Sequence, residues 1–137
     1  MPYTLTWESP NGVCRTFTGH VTSGELIDSL VELTTAMQFD GLRYSLSIFR
    51  GVSDLQTDRG TLEDVAALDY GAYEWNPRFV SAIVADEQLV AQLLRSFEGL
   101  NVSRIPRQLF NTEADARAWI DSVLSGNGIE GSASTRG

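Results

Sequence analysis

The sequence predicts a single α/β domain with a mixed five-stranded sheet and four helices. Residues 3–21 alternate apolar and polar side chains on both sides of Ser9-Pro10-Asn11-Gly12, which is typical of an antiparallel hairpin with a tight turn. After this hairpin, short apolar runs alternate with amphipathic segments of helical length, as they do in successive βα units. We therefore expect an N-terminal hairpin followed by βα units.

The first half of the chain predicts one helix, one strand and one loop after the hairpin. Thr22 and Glu25 have the spacing of a capping box, and the apolar stripe that follows predicts a helix at residues 23–37 that ends with Met37 on its inner face. Alternation at residues 44–49 predicts a strand. Residues 51–60 are polar and rich in turn formers, and we expect a loop there.

The second half predicts three helices and two strands. Thr61 and Asp64 begin a helix that Asn76-Pro77 ends. The nearly uninterrupted apolar run at residues 79–85 predicts a strand covered on both faces in the interior of the sheet. A helix from Asp86, an edge strand at residues 105–110 and a last helix capped by Thr112 complete the domain.

We expect this domain to span residues 1–125. Residues 126–137 have too few apolar side chains to offset the entropy of ordering them, and we expect a disordered tail.

Composition excludes several functions. Eighteen acidic residues against ten Arg and no Lys give a net charge of −8, which disfavours nucleic acid and anionic membranes as partners. No apolar run reaches the ~20 residues of a membrane span, and no targeting signal opens the chain, so we expect a cytoplasmic protein. One Cys and one His, Cys14 and His20, give no metal site and no disulfide. No nucleotide-binding glycine motif or phosphate-loop Lys occurs, so we expect no cofactor and no enzyme activity.

The order of elements resembles the STAS and SpoIIAA-like fold of anti-sigma-factor antagonists, over about residues 1–125. Two segments add to the resemblance, Tyr3-Thr4-Leu5-Thr6-Trp7 and Ala67-Leu68-Asp69-Tyr70 before Asn76-Pro77. The resemblance implies a regulatory role without catalysis. In those antagonists a Ser that follows an Asp begins the helix after the third strand, and its phosphorylation switches partner binding. This chain has no such Asp-Ser pair in residues 51–64, where the switch candidates are Ser53, Thr57 and Thr61.

Five residues are candidates for ligand or partner binding. Arg50 and Arg59 lie near the carboxyl ends of the strands, where open α/β sheets bind ligands, and could attract an anion or pair with Asp54 and Asp58. The apolar arc of the second helix, roughly 220° wide at ~100° per residue, is wider than one sheet needs. Tyr70 and Tyr73 in this arc therefore face a partner, a ligand or a neighbouring helix.

Asp69 lies inside the same arc, where an ionised carboxylate is costly unless it is paired. It is either a core acid satisfied by strand amides, a Tyr hydroxyl or an Arg, or a pocket acid with a raised pKa.

Together these observations favour a non-catalytic regulatory or protein-interaction module that forms a homodimer. The alternative is a protein that binds a small apolar or anionic ligand, lipid-like or nucleotide-like, with Asp69 in the pocket wall.

Overall fold

The computed structural model of the chain describes residues 3–8, 10–55, 58–96 and 105–125, and describes side chains at all of these positions except 59, 61, 62 and 93–96. The described residues form five strands, four α-helices and one 3-10 helix, which we call η1. In chain order these are β1 (Tyr3–Glu8), β2 (Gly12–Val21), α1 (Ser23–Thr35), η1 (Met37–Gly41), β3 (Tyr44–Leu55), α2 (Arg59–Trp75), β4 (Val80–Val84), α3 (Glu87–Ser96), β5 (Arg107–Phe110) and α4 (Glu113–Leu124).

The described strands form one sheet in the order β1-β2-β3-β4-β5. β1 and β2 pair in antiparallel orientation, and the other three pairs of neighbouring strands are parallel. The predicted fold class is confirmed, together with the interior position of β4 and the edge position of β5. Residues 126–137, where we expect a tail, lie outside the described residues, and the domain boundary stays a prediction.

β3 is longer than the sequence predicts, which corrects the loop expected at residues 51–60. Its second half stays paired with β2, since Val52 lies opposite Gly19 and Leu55 opposite Val21. Gly19 and Gly51 have φ angles of 69° and 61°, which side-chain-bearing residues rarely adopt. The two strands therefore bend together and continue as a two-stranded ribbon, whose exposed polar residues give it the composition of a loop.

The first helix is shorter than predicted. The capping box of Thr22 and Glu25 is present, but α1 ends at Thr35 and a 3-10 turn begins at Met37. Thr34 and Thr35 donate their hydroxyls to carbonyls one turn back, and such bonds compete with the helical pattern. Met37 therefore leaves the apolar stripe and is 92% exposed.

The later helices begin at or near the predicted residues. α2 begins at Arg59, two residues before the predicted Thr61, directly after Asp58, a residue type favoured at N-caps. Asp86 accepts a hydrogen bond from the amide of Leu89 at 2.8 Å, and Thr112 caps α4 through the amide of Asp115.

The core lies on both faces of the sheet. On one face, α1 and α2 pack over a cluster of side chains that includes Val13 of β2 and Leu33 of α1. Ala116 and Ile120 of α4 pack on the other face, against Leu46 of β3. α1 and α2 therefore lie on the face of the sheet opposite to α4, with their outer surfaces exposed to solvent.

Arg117 ties α4 to the hairpin. Its guanidinium donates to both carboxylate oxygens of Glu8, at 3.1 and 2.9 Å, and its Nε donates to Glu113 at 2.8 Å. These bonds lower the pKa of Glu8 and of Glu113. Tyr44 also donates its hydroxyl to Glu8, and burial together with this bond raises the pKa of Tyr44 to about 12.

Candidate functional site

An open groove of about 280 Å³ lies where the end of α1, η1 and the second half of α2 meet. We call it the helical groove. Its lining residues are Thr34, Phe39, Ala67, Leu68, Gly71, Ala72 and Trp75. A Cβ placed on Gly71 would meet no atom within 4 Å, so the space above this residue is open.

The elements that form this groove carry exposed large apolar side chains. Trp75, in its lining, is 73% exposed, and Met37 in η1 is 92% exposed. Val31, one helical turn before Thr34 on α1, is 43% exposed. Exposed apolar side chains gathered on one surface are typical of interaction sites.

The wall of the groove is held in place by hydrogen bonds. The indole Nε1 of Trp75 donates to Asp40 of η1 at 2.7 Å. The next residue, Asn76, is 1% exposed and donates its side-chain amide to the carbonyls of Phe39 and Leu42 at 2.9 and 3.0 Å. The end of α2 is thereby fixed against η1, and the exposed indole is positioned before any partner binds.

The elements around the groove are acidic. α1, η1 and α2 together carry eight acidic residues and one Arg, Arg59. Six of these carboxylates belong to exposed residues: Asp28, Glu32, Asp40, Glu63, Asp64 and Glu74. Much of the chain's negative charge is therefore concentrated on these elements.

A polar layer beneath the same helices fixes them to the sheet. The two terminal nitrogens of Arg15 in β2 each donate a hydrogen bond of 2.8 Å. One goes to the hydroxyl of Ser29 in α1 and the other to the hydroxyl of Ser47 in β3. Burial lowers the pKa of Arg15 to about 10. Among the described residues no carboxylate forms an ion pair with Arg15, and its Nε and the hydroxyl of Ser45 are buried without hydrogen-bond partners.

Asp69 belongs to this layer. Its Oδ2 accepts a hydrogen bond from Arg107 of β5 at 2.8 Å, and the two side chains are 11% and 20% exposed. Arg107 also reaches Ser81 of β4 at 3.5 Å. The structure therefore shows the ion pair with an Arg that the sequence allowed for Asp69, and this pair anchors α2 to the far edge of the sheet.

The two candidate tyrosines have different environments. Tyr70 is 55% exposed on α2, whereas Tyr73 is half-buried and packs against the core cluster under α1 and α2. Tyr73 thus faces the core rather than the surface, and only Tyr70 has the exposed position expected of a contact residue. A binding role for either residue stays a prediction.

The remaining candidates are not brought together. Arg50 pairs with Glu113 of α4 at 3.3 Å and not with Asp54 or Asp58, because the β3 ribbon replaces the loop expected there. Ser53 is exposed in the same ribbon. Thr57 lies outside the described residues, as do the side chains of Arg59 and Thr61, so the switch and anion-binding predictions stay untested.

A second groove, of about 270 Å³, lies at the carboxyl end of β3, where the sequence places a ligand site. The described side chains that line it include Asp54, Asp86, Gln88 and Gln92 and no Arg. The anion-binding prediction therefore stays a prediction at this groove, since the side chain of Arg59 lies outside the described residues.

Cys14 and His20 have ordinary surroundings. Burial raises the pKa of the Cys14 thiol, and His20 lies 3.0 Å from Asp54 with 60% of its side chain exposed. Within the described part of the chain, no group of three or more His, Cys, Asp or Glu could hold a metal ion. No helix there is long and apolar enough to cross a membrane.

Three residues of this site are not singled out by the sequence pattern. Met37 and Trp75 fit apolar stripes that predict burial, and Arg15 lies at an inward position of β2 where a solvated charge is not expected. A signal was present for Trp75, because the apolar arc of α2 is too wide for one sheet. Trp75 and Tyr70 are the described residues of this arc that remain exposed to solvent.

Two solved structures are similar to this chain. The anti-sigma factor antagonist SpoIIAA in its unphosphorylated form matches with a TM-score of 0.56 and 11% identity, over 87% of this chain and 97% of that chain. An uncharacterized DUF3478-family protein with a SpoIIAA-like fold, from Shewanella loihica PV-4, matches with a TM-score of 0.52 and 12% identity, over 86% of this chain and 91% of that chain. No family model and no curated protein matches the sequence. The resemblance expected from the sequence is therefore confirmed at the level of the fold.

Proposed function

We propose that this chain, which has a SpoIIAA-like fold, is a non-catalytic regulatory module that recognises a partner protein through the helical groove. The observation that carries the proposal is the exposure of Trp75, which lines the groove and is held by Asp40. Tryptophan is among the residues most enriched at the energetic centres of protein interfaces. Because its indole is held by Asp40, little side-chain entropy is lost when a partner covers it.

The fold supports a regulatory role. One of the two similar structures is named as an antagonist of another protein, an anti-sigma factor. The shape of the groove supports a protein partner over a small ligand, since the groove is open and pockets for small ligands enclose most of the ligand surface.

The test is capture from an extract of the source cells with three forms of the chain. Gly71→Leu fills the groove at a position where the chain itself offers no obstacle. Ser122→Leu adds the same side chain at an exposed position of α4, across the sheet, and is the matched control. We expect a stoichiometric protein with the wild type and with Ser122→Leu, and its loss with Gly71→Leu.

Two results would contradict the proposal. One is capture that is unchanged by Gly71→Leu. The other is a non-covalent small molecule, seen by native mass spectrometry of the purified chain and lost on denaturation, in place of a protein partner.

A further inference from the structure

We infer that the partner presents a basic amphipathic helix to the helical groove. The inference rests on the proposed function and adds the chemistry of the partner. It follows from the charge around the groove, from the small side chains in the groove and from the position of Trp75.

The charge favours a cationic segment. Asp64 lies one turn before Leu68 on α2, so this helix places a carboxylate beside the groove. Glu63 and Glu74 are exposed on the same helix as Asp64. Arg78 donates to the backbone carbonyl of Asp40 at 3.0 Å and places a positive charge near the η1 end. The negative charge beside the groove therefore comes from the exposed carboxylates of α2 and from Asp40, which bonds Trp75.

The shape favours a helix. Ala67 and Gly71 are one turn apart on α2 and expose backbone with little side-chain bulk, which lets a second helix approach closely. Leu68 and Trp75 supply the apolar contacts beside them. Amphipathic helices bind such grooves through apolar residues at positions i, i+3, i+4 and i+7.

Trp75 favours Arg or Lys at the edge of that helix. Its indole is 73% exposed, and its Nε1 is already bonded to Asp40, so the ring faces are the part available to a partner. A guanidinium over an indole face gains a cation–π interaction, and Asp40 lies next to the ring to stabilise the same charge.

A second copy of the chain does not fit this groove as well. Two copies meeting through it would bring two acidic surfaces together, which costs free energy. A homodimer, if formed, is therefore expected to use a different surface.

The test uses two synthetic peptides of 17 residues, the length of α2, with identical Leu and Ala faces. One carries Arg at the polar positions and the other carries Glu. Each labelled peptide is titrated with the full chain, and with its Gly71→Leu and Ser122→Leu variants, while fluorescence anisotropy reports binding. We expect the Arg peptide to bind at least about tenfold more tightly than the Glu peptide, with an affinity that falls as salt is added. Gly71→Leu should abolish most of this binding, and Ser122→Leu should not.

The outcomes separate this inference from the proposed function. If the Glu peptide binds as tightly as the Arg peptide and Gly71→Leu blocks both, the groove binds helices but the basic partner is wrong. If both Gly71→Leu and Ser122→Leu bind the Arg peptide as tightly as the wild type does, the peptide is held only by nonspecific charge attraction. Both the inference of a basic partner and the proposed role of the groove are then wrong.

Discussion

Arg107 in β5 donates a hydrogen bond to Asp69 in α2 at 2.8 Å, and this ion pair joins the helix that carries Trp75 to the edge of the sheet. Removing one member of such a pair leaves the other charge poorly solvated. We expect Asp69→Ala to lower the free energy of unfolding by about 3 kcal/mol. Urea denaturation measures this change, and Asp64→Ala, an exposed acid on the same helix, is the control expected to stay within about 0.5 kcal/mol of the wild type. Equal effects of the two changes would show that the pair contributes no stability.

The two buried serines of β3 should respond differently to substitution. Ser47 accepts a hydrogen bond from Arg15, whereas the hydroxyl of Ser45 is buried without a partner among the described residues. Ser47→Ala removes an acceptor from a buried cation and should cost about 2 kcal/mol of stability. Ser45→Ala removes a hydroxyl that already lacks a partner and should be neutral or slightly stabilising. Thermal and urea unfolding compare the two, and a larger loss for Ser45→Ala would contradict the arrangement of this layer.

Gly12 and Gly71 should respond in opposite directions to alanine. A Cβ on Gly12 would overlap the ring of Tyr44, which also bonds Glu8, so Gly12→Ala should destabilise by about 2 kcal/mol or more. A Cβ on Gly71 meets open space within a helix, so Gly71→Ala should stabilise by about 0.5–1 kcal/mol through helix propensity. Melting temperatures of the two variants check both signs. A stabilised Gly12→Ala would mean that Tyr44 does not lie over this residue.

Stability should fall in acid through Glu8 and Glu113. Both have pKa values below the ordinary 4.5, mainly because Arg117 donates hydrogen bonds to them. A carboxyl group with a lowered folded-state pKa stabilises the fold above its unfolded pKa and loses this contribution as the pH falls through the folded value. We therefore expect the free energy of unfolding to decrease below about pH 4.5, and Arg117→Gln to flatten that decrease.

The matched control is Arg50→Gln, since the side chain of Arg50 is 63% exposed and pairs with Glu113 but not with Glu8. It should leave the acid dependence close to that of the wild type. Urea denaturation at several pH values gives the comparison, and an unchanged pH dependence in Arg117→Gln would contradict the assignment.

The elements were predictable because local patterns determine them. The capping residues Thr22 and Thr112 and the apolar run of β4 indicate structure that the fold retains. The element that was not predicted depends on contacts between residues far apart in the sequence. The ribbon of β3 exists only because β2 runs beside it, and its own residues have the composition of a loop.

The candidate site was predictable only in part. The sequence drew attention to α2 and to Asp69, and allowed the Arg pairing that the structure shows. It could not identify Arg107 as the partner, because 38 residues separate the two along the chain. It placed Met37 inside, since apolar periodicity does not show where two adjacent threonines end a helix.

The most direct test of the helical groove is a ¹H–¹⁵N spectrum of the labelled chain during titration with the Arg peptide. Trp75 and Trp119 provide separate indole signals. Trp75 lines the groove, whereas Trp119 belongs to α4 on the opposite face of the sheet, where it packs against Phe110. We expect the Trp75 indole and the amides around Gly71 to shift with the peptide while the Trp119 indole stays in place. Shifts that concentrate at Trp119 and leave Trp75 unmoved would contradict a docking site between α1 and α2.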